Sequence, residues 1–102
     1  MKNLIIIIHE TAQQALADQL RDLDEVEGFT FSHVEGHGTQ VETDPLLSAR
    51  DKVVGFVPRV RVDILLKDAH VDRVLKVLRK GSQGSRSTGL FWVTQVQKHG
   101  RL

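Results

Sequence analysis

The chain of 102 residues contains no cysteine, no tyrosine and only two prolines. Without cysteine there are no disulfides, no thiolate metal sites and no cysteine nucleophile. Aromatics make up 5% of the residues, too few for the stacking platforms that hold single-stranded nucleic acid. Neither sign of charge dominates: 14 basic and 13 acidic side chains are interspersed and leave a formal net charge of +1. That balance argues against the basic footprint of a nucleic-acid binder. The N-terminal apolar run, Leu4 to Ile8, is too short for a signal-peptide core or a membrane span. The expectation is a cytoplasmic single domain over residues 1–102, with one modest core and no membrane insertion.

What the sequence does contain is a regular alternation of strand and helix patterns. Leu4 to Ile8 is β-branched and ends at His9-Glu10, so it reads as a strand. Thr11 followed by Gln14 fits a capping box, and Ala12, Ala15, Leu16, Leu20 and Leu23 then trace a helical stripe. Gly28 to Val34 reads as a second strand. In a third, Val57 to Leu66, the residues Val60, Val62, Ile64 and Leu66 oppose Arg59, Arg61, Asp63 and Leu65. Asp68 is placed to cap a second helix carrying Val71, Val74, Leu75 and Leu78, which ends near Gly81. A Gly/Ser-rich stretch, Gly81 to Thr88, leads into a last strand from Gly89 to Val96.

The order is βαββαβ. Right-handed crossovers put both helices on one face of a four-stranded antiparallel sheet, an α+β, ferredoxin-like sandwich. The other face is then bare, yet Ile5 and Ile7 on the first strand are as apolar as Leu4, Ile6 and Ile8. Leu90 and Trp92 likewise oppose Phe91 and Val93 on the last strand. Strands that are apolar on both sides are usually buried on both, so the pattern predicts an oligomer whose subunits cover the second face.

Between strands two and three lies a segment, about 38–56, far longer than the roughly 2–5 residues a hairpin needs. Its root, Gly36-His37-Gly38-Thr39-Gln40, is glycine-rich, which suits close approach of backbone to a ligand. Within it, Asp44-Pro45 through Lys52 carries the start and stop signals of a short helix. Leu46, Leu47, Val53 and Val54 offer apolar contacts to a partner or to the body of the domain.

These residues resemble the PII signal-transduction superfamily, the nitrogen regulatory proteins, nearly end to end. Gly36-His37-Gly38-Thr39-Gln40 is similar to the Gly-Phe-Gly-Arg-Gln motif at the base of that family's mobile T-loop. Phe56-Val57-Pro58-Arg59-Val60-Arg61 resembles the Phe-Leu-Pro-Lys-Val-Lys motif that closes it. Thr88-Gly89-Leu90-Phe91-Trp92-Val93 stands where the family has Asp-Gly-Lys-Ile-Phe-Val. The Gly-His-Gly, Trp-Val and Gly-Arg-Leu elements look closer to a divergent subgroup associated with heavy-metal efflux transporters.

The resemblance implies a homotrimer that binds an adenine nucleotide (ATP, ADP or AMP) in clefts between subunits. It further implies that the long segment docks on a transporter or enzyme. It assigns nucleotide binding to Gly36, His37, Gly38, Thr39, Gln40, Arg59, Gly89 and Arg101. Several positions depart from the family. Leu90 replaces a phosphate-binding lysine, Thr88 replaces an aspartate, and the loop before Gly89 is one residue shorter. No second arginine follows Arg101. Lys52 stands at the position of the modified tyrosine, so uridylylation is excluded. Arg86 or Lys80 could restore some phosphate charge.

Two further constellations bear on function. His33, Glu35 and His37 alternate along one strand, so they share a face. Imidazole and carboxylate ligands suit zinc, copper or nickel, which makes a divalent-metal or metal-tolerance protein the alternative reading. In the other reading His33 packs on the sheet and His37 merely fills the motif's phenylalanine position. No enzyme is indicated: no serine sits in a strand–turn–helix elbow with a base in reach. The cluster Asp22, Asp24, Glu25 and Glu27 reads as a solvated turn. No cofactor is expected beyond the effector.

Overall fold

The computed structural model describes residues 1–38, 55–81 and 89–102. Within them the strands are β1 (Lys2–His9), β2 (Phe29–Gly36), β3 (Val57–Leu66) and β4 (Leu90–Gln95). The helices are α1 (Gln13–Arg21) and α2 (Val71–Gly81), each entered through a 3-10 turn, Glu10–Ala12 and Asp68–His70. The strands form one sheet in the order β2-β3-β1-β4, and every neighbouring pair is antiparallel. This is the expected βαββαβ α+β sandwich.

Register follows from the apolar alternation. Leu4 pairs with Ile64, Ile6 with Val62 and Ile8 with Val60, so the large residues of β1 and β3 share one face. Both helices cover that face. Leu16 and Leu20 of α1 join Val71, Val74 and Leu78 of α2 in a single cluster with them. Leu4, Leu20, Val60, Val62, Ile64 and Val74 are all 0% exposed. Burying one such side chain contributes roughly 1.5–3 kcal/mol, so this layer holds most of the fold's stability.

The opposite face is less bare than the alternation predicts. Ile5 is only 1% exposed in the single chain. It pairs with Asp63 on one side and Trp92 on the other. Arg61 donates two hydrogen bonds of 3.1 Å to the Asp63 carboxylate, and Asn3 donates a third, also 3.1 Å. The Arg61 guanidinium also lies 6.0 Å from the Trp92 ring centroid. Long polar side chains thus roof the apolar residues beneath them. The Arg61 hydrogen bonds are the largest influence holding the Asp63 carboxyl below the usual carboxylate range. The apolar surface left exposed gathers instead on β4: Leu90, Phe91, Trp92 and Val93 are all 38% exposed or more.

Both helix starts differ from expectation for tertiary reasons. Thr11 does not cap α1. The strand runs on to His9, whose Nδ1 accepts the Thr11 backbone N–H at 3.2 Å and so caps the 3-10 turn. Asp68 does not cap the second turn either. Lys67 occupies that position without a side-chain hydrogen bond, and Asp68 pairs with the N-terminal ammonium at 2.8 Å. The Lys2–Leu66 pairing brings Met1 to that turn, and the ammonium pulls the Asp68 carboxyl down. Of the acidic cluster after α1, Glu25 is structural: it is half-buried and pairs with Arg73 of α2. Its carboxyl is held low by a backbone hydrogen bond first and by Arg73 second.

Candidate ligand site at the root of the long segment

The antiparallel ladder brings the candidate residues to one end of the sheet. β2 finishes at Gly36, which pairs with Val57 at the start of β3. Two residues further along β3, Arg59 pairs with Val34 on one side and His9 on the other. A Cβ on Gly36 would lie 3.4 Å from the side chain of the half-buried Arg59, an ordinary van der Waals contact. Gly89 precedes β4 at the same end, packed so that a Cβ there would meet the Ile7 carbonyl and the Ile8 side chain, each at 3.6 Å. Gly38 is open, with nothing within 4 Å of an added Cβ.

Gly36, His37, Gly38, Arg59 and Gly89 therefore share one end of the sheet, but not one edge. β2 and β4 are its two borders, about 14 Å apart across three inter-strand spacings. Arg101 is not with them. It lines a groove of about 910 Å³ at the other end, with Met1, Asn3, Gly28 and Lys67. Thr39, Gln40 and Arg86, and the helix signals of Asp44 to Lys52, lie outside the described residues.

His37 does more than fill a motif position. Its Nδ1 lies 2.5 Å from the Gly55 carbonyl oxygen, and its ring meets Phe56 edge-on with centroids 6.1 Å apart. Gly55 has φ of +81°, a backbone region that favours glycine. Reading the closing motif from Phe56 onward misses this contact, although the glycine just before it is the available signal. His33 and Glu35 are exposed on β2. Among the described residues, no three histidine or acidic side chains form a group able to hold a metal ion, so His33, Glu35 and His37 are not gathered as ligands.

The chemistry on offer is that of recognition. Exposed glycine backbone presents N–H and C=O groups, Arg59 adds a positive charge, and His37 with Phe56 adds aromatic surface. Such a set is chemically suited to an anionic or planar polar ligand, through hydrogen bonds and contact. It supplies no activated nucleophile.

The chain is similar to known proteins over most of its length. The sequence profile of a family described as "Protein of unknown function (DUF3240)" matches residues 1–102. The nitrogen regulatory protein P-II of Rhizobium leguminosarum bv. viciae is 30% identical over 74 residues, covering 72% of this chain and 67% of that protein. The nitrogen regulatory protein GlnK of Escherichia coli K12 is 25% identical over 99 residues, covering 96% of this chain and 88% of that protein. A crystal structure of a DUF3240 family protein from Shewanella baltica OS155 superposes with a TM-score of 0.75 at 16% identity. The match covers 99% of this chain and 96% of that one, and it shows the shared fold. The chain belongs to the DUF3240 family, a divergent member of the PII-like superfamily.

Proposed function

We propose that this chain is a PII-like regulatory protein. In this reading it assembles as a homotrimer, binds an adenine nucleotide in clefts between subunits, and acts on a transporter or enzyme through the segment 38–56. The observation that carries the proposal is similarity to nitrogen regulatory proteins over nearly the whole chain. The arrangement of the sheet supports the composite cleft. Arg101 sits at the end of the sheet away from the loop root, so a neighbouring copy is the natural source of the arginine that a nucleotide phosphate would meet. Leu90, 60% exposed where the superfamily motif has lysine, supplies no charge there. Phosphate recognition then rests on Arg59, on Arg101 of a neighbour and on backbone donors. The relatives are nitrogen regulatory proteins by name, and the reading is accordingly a regulatory role without enzymatic turnover.

Sedimentation velocity and calorimetric titration with ATP, ADP, AMP and cyclic nucleotides test the reading. A trimer that gives binding heat with at least one of them is expected. Gly38→Trp should abolish that heat without unfolding the protein, because the position is sterically open. A well-folded monomer, or no heat with any nucleotide, would sink it. A parallel titration with divalent zinc, copper and nickel addresses the metal-tolerance alternative; heat lost in His37→Ala would favour that reading instead.

A further inference from the structure

The β2–β3 ladder ends at the pair Gly36–Val57. Beyond it the two chains part, with His37 and Gly38 leaving on one side and Gly55 and Phe56 arriving on the other. One side chain bridges the opening. His37 Nδ1 approaches the Gly55 carbonyl at 2.5 Å, joining positions 18 residues apart. A carbonyl oxygen only accepts, so this nitrogen must carry the proton, and the lone pair of the neutral ring is left on Nε2. His9, at the same end of the sheet, is the reverse. Its Nδ1 accepts from the Thr11 N–H at 3.2 Å, which places its proton on Nε2.

The surrounding residues support the bridge. The left-handed turn at Gly55, φ +81°, aims its carbonyl across the gap, and a side chain there would be strained. Phe56 packs edge-on against the imidazole. The related motif has phenylalanine at the position of His37. A phenyl ring could keep the contact with Phe56 but has no proton to donate, so the bridge is a property of this chain.

We propose that His37 is a positioning residue. Its hydrogen bond to Gly55 closes the hairpin one step past the ladder and fixes the spacing and direction at which residues 38 and 55 leave the sheet. The same bond sets the orientation of the Gly36–Gly38 backbone.

Two measurements on the full chain test it. Long-range proton–nitrogen correlation spectra, recorded in alkaline buffer, should show His37 protonated on Nδ1 and His9 on Nε2. His37 protonated on Nε2 would overturn the proposal, and this result needs no variant to fold. Amide hydrogen exchange at Gly36 to Gly38 and Gly55 to Val57 should speed up roughly fivefold in His37→Phe, the effect of losing one hydrogen bond. His37→Asn, whose amide nitrogen falls near the position of Nδ1, should return to within about twofold of the wild-type rates. The amides of Ile6 and Val62 should exchange as before in both variants. Unchanged exchange at the root in His37→Phe would overturn the bridge.

Discussion

The two faces of β1 are built from almost the same residues and covered in different ways. Leu4, Ile6 and Ile8 meet the apolar stripes of α1 and α2 and become part of the core. Ile5, one residue out of phase, is equally hidden at 1% exposure, but it lies in a ladder flanked by Asp63 and Trp92 on the face roofed by Arg61. A helix layer is held by many tightly packed contacts. A roof of long surface side chains is held by a few hydrogen bonds and can relax. Equal burial therefore does not mean equal resistance to change.

Substitutions sharpen that contrast. Leu4→Ala should be the most damaging, about 3–5 kcal/mol by denaturant unfolding, because the helices cannot collapse into the gap. Ile5→Ala should cost less, about 2 kcal/mol, as the roof settles into the space. Equal losses would show that the two layers are equally rigid.

Asp63→Ala removes the anchor of the roof, taking the Arg61 and Asn3 hydrogen bonds with it. The expected loss is about 1 kcal/mol, kept small by partial exposure of the pair. Its pH dependence has a definite sign. A carboxyl held low by Arg61 stabilises the fold above its unfolded value, about 3.9, and loses that contribution as pH falls through its folded value. Urea midpoints for wild type and variant should therefore converge in acid; a gap that persisted there would break the explanation.

The smallest effect is expected at an exposed contact between α2 and β4. The Arg79 guanidinium of α2 lies 5.0 Å from the Phe91 ring centroid. Arg79→Gln should cost about 0.5 kcal/mol, since the contact is solvent-exposed. A larger loss would mean that β4 depends on α2 more than its exposure indicates.

How much of this was legible in the sequence depends on how far apart the interacting residues are. The alternation in β3 is a local pattern, and Val57 to Leu66 appears as a strand with the limits it predicts. The apolar pattern of β1 predicts a second copy over the face of Ile5 and Ile7. Within the single chain Ile5 is already buried and Ile7 half-buried, and the pattern does not reveal the polar side chains that lie over them. Arg61 and Asp63 share the roofed face with Trp92, which β1 separates from them, and no periodicity links them. Thr11 and Asp68 have the local chemistry of helix caps but do not serve as caps in the fold. His9 and the N-terminal ammonium became the partners only through where β1 runs. At the site, the glycines and Arg59 are visible as a motif. The His37–Gly55 contact and the distant position of Arg101 depend on the folded register.

The bordering strand β4 has a consequence for how the protein must be made. Among the described residues no strand lies beyond it, so its outer row of peptide groups is an open template between apolar sides. Any extended segment nearby, from this chain or another, can pair with that template, so β4 is where clumping of a newly made chain would begin.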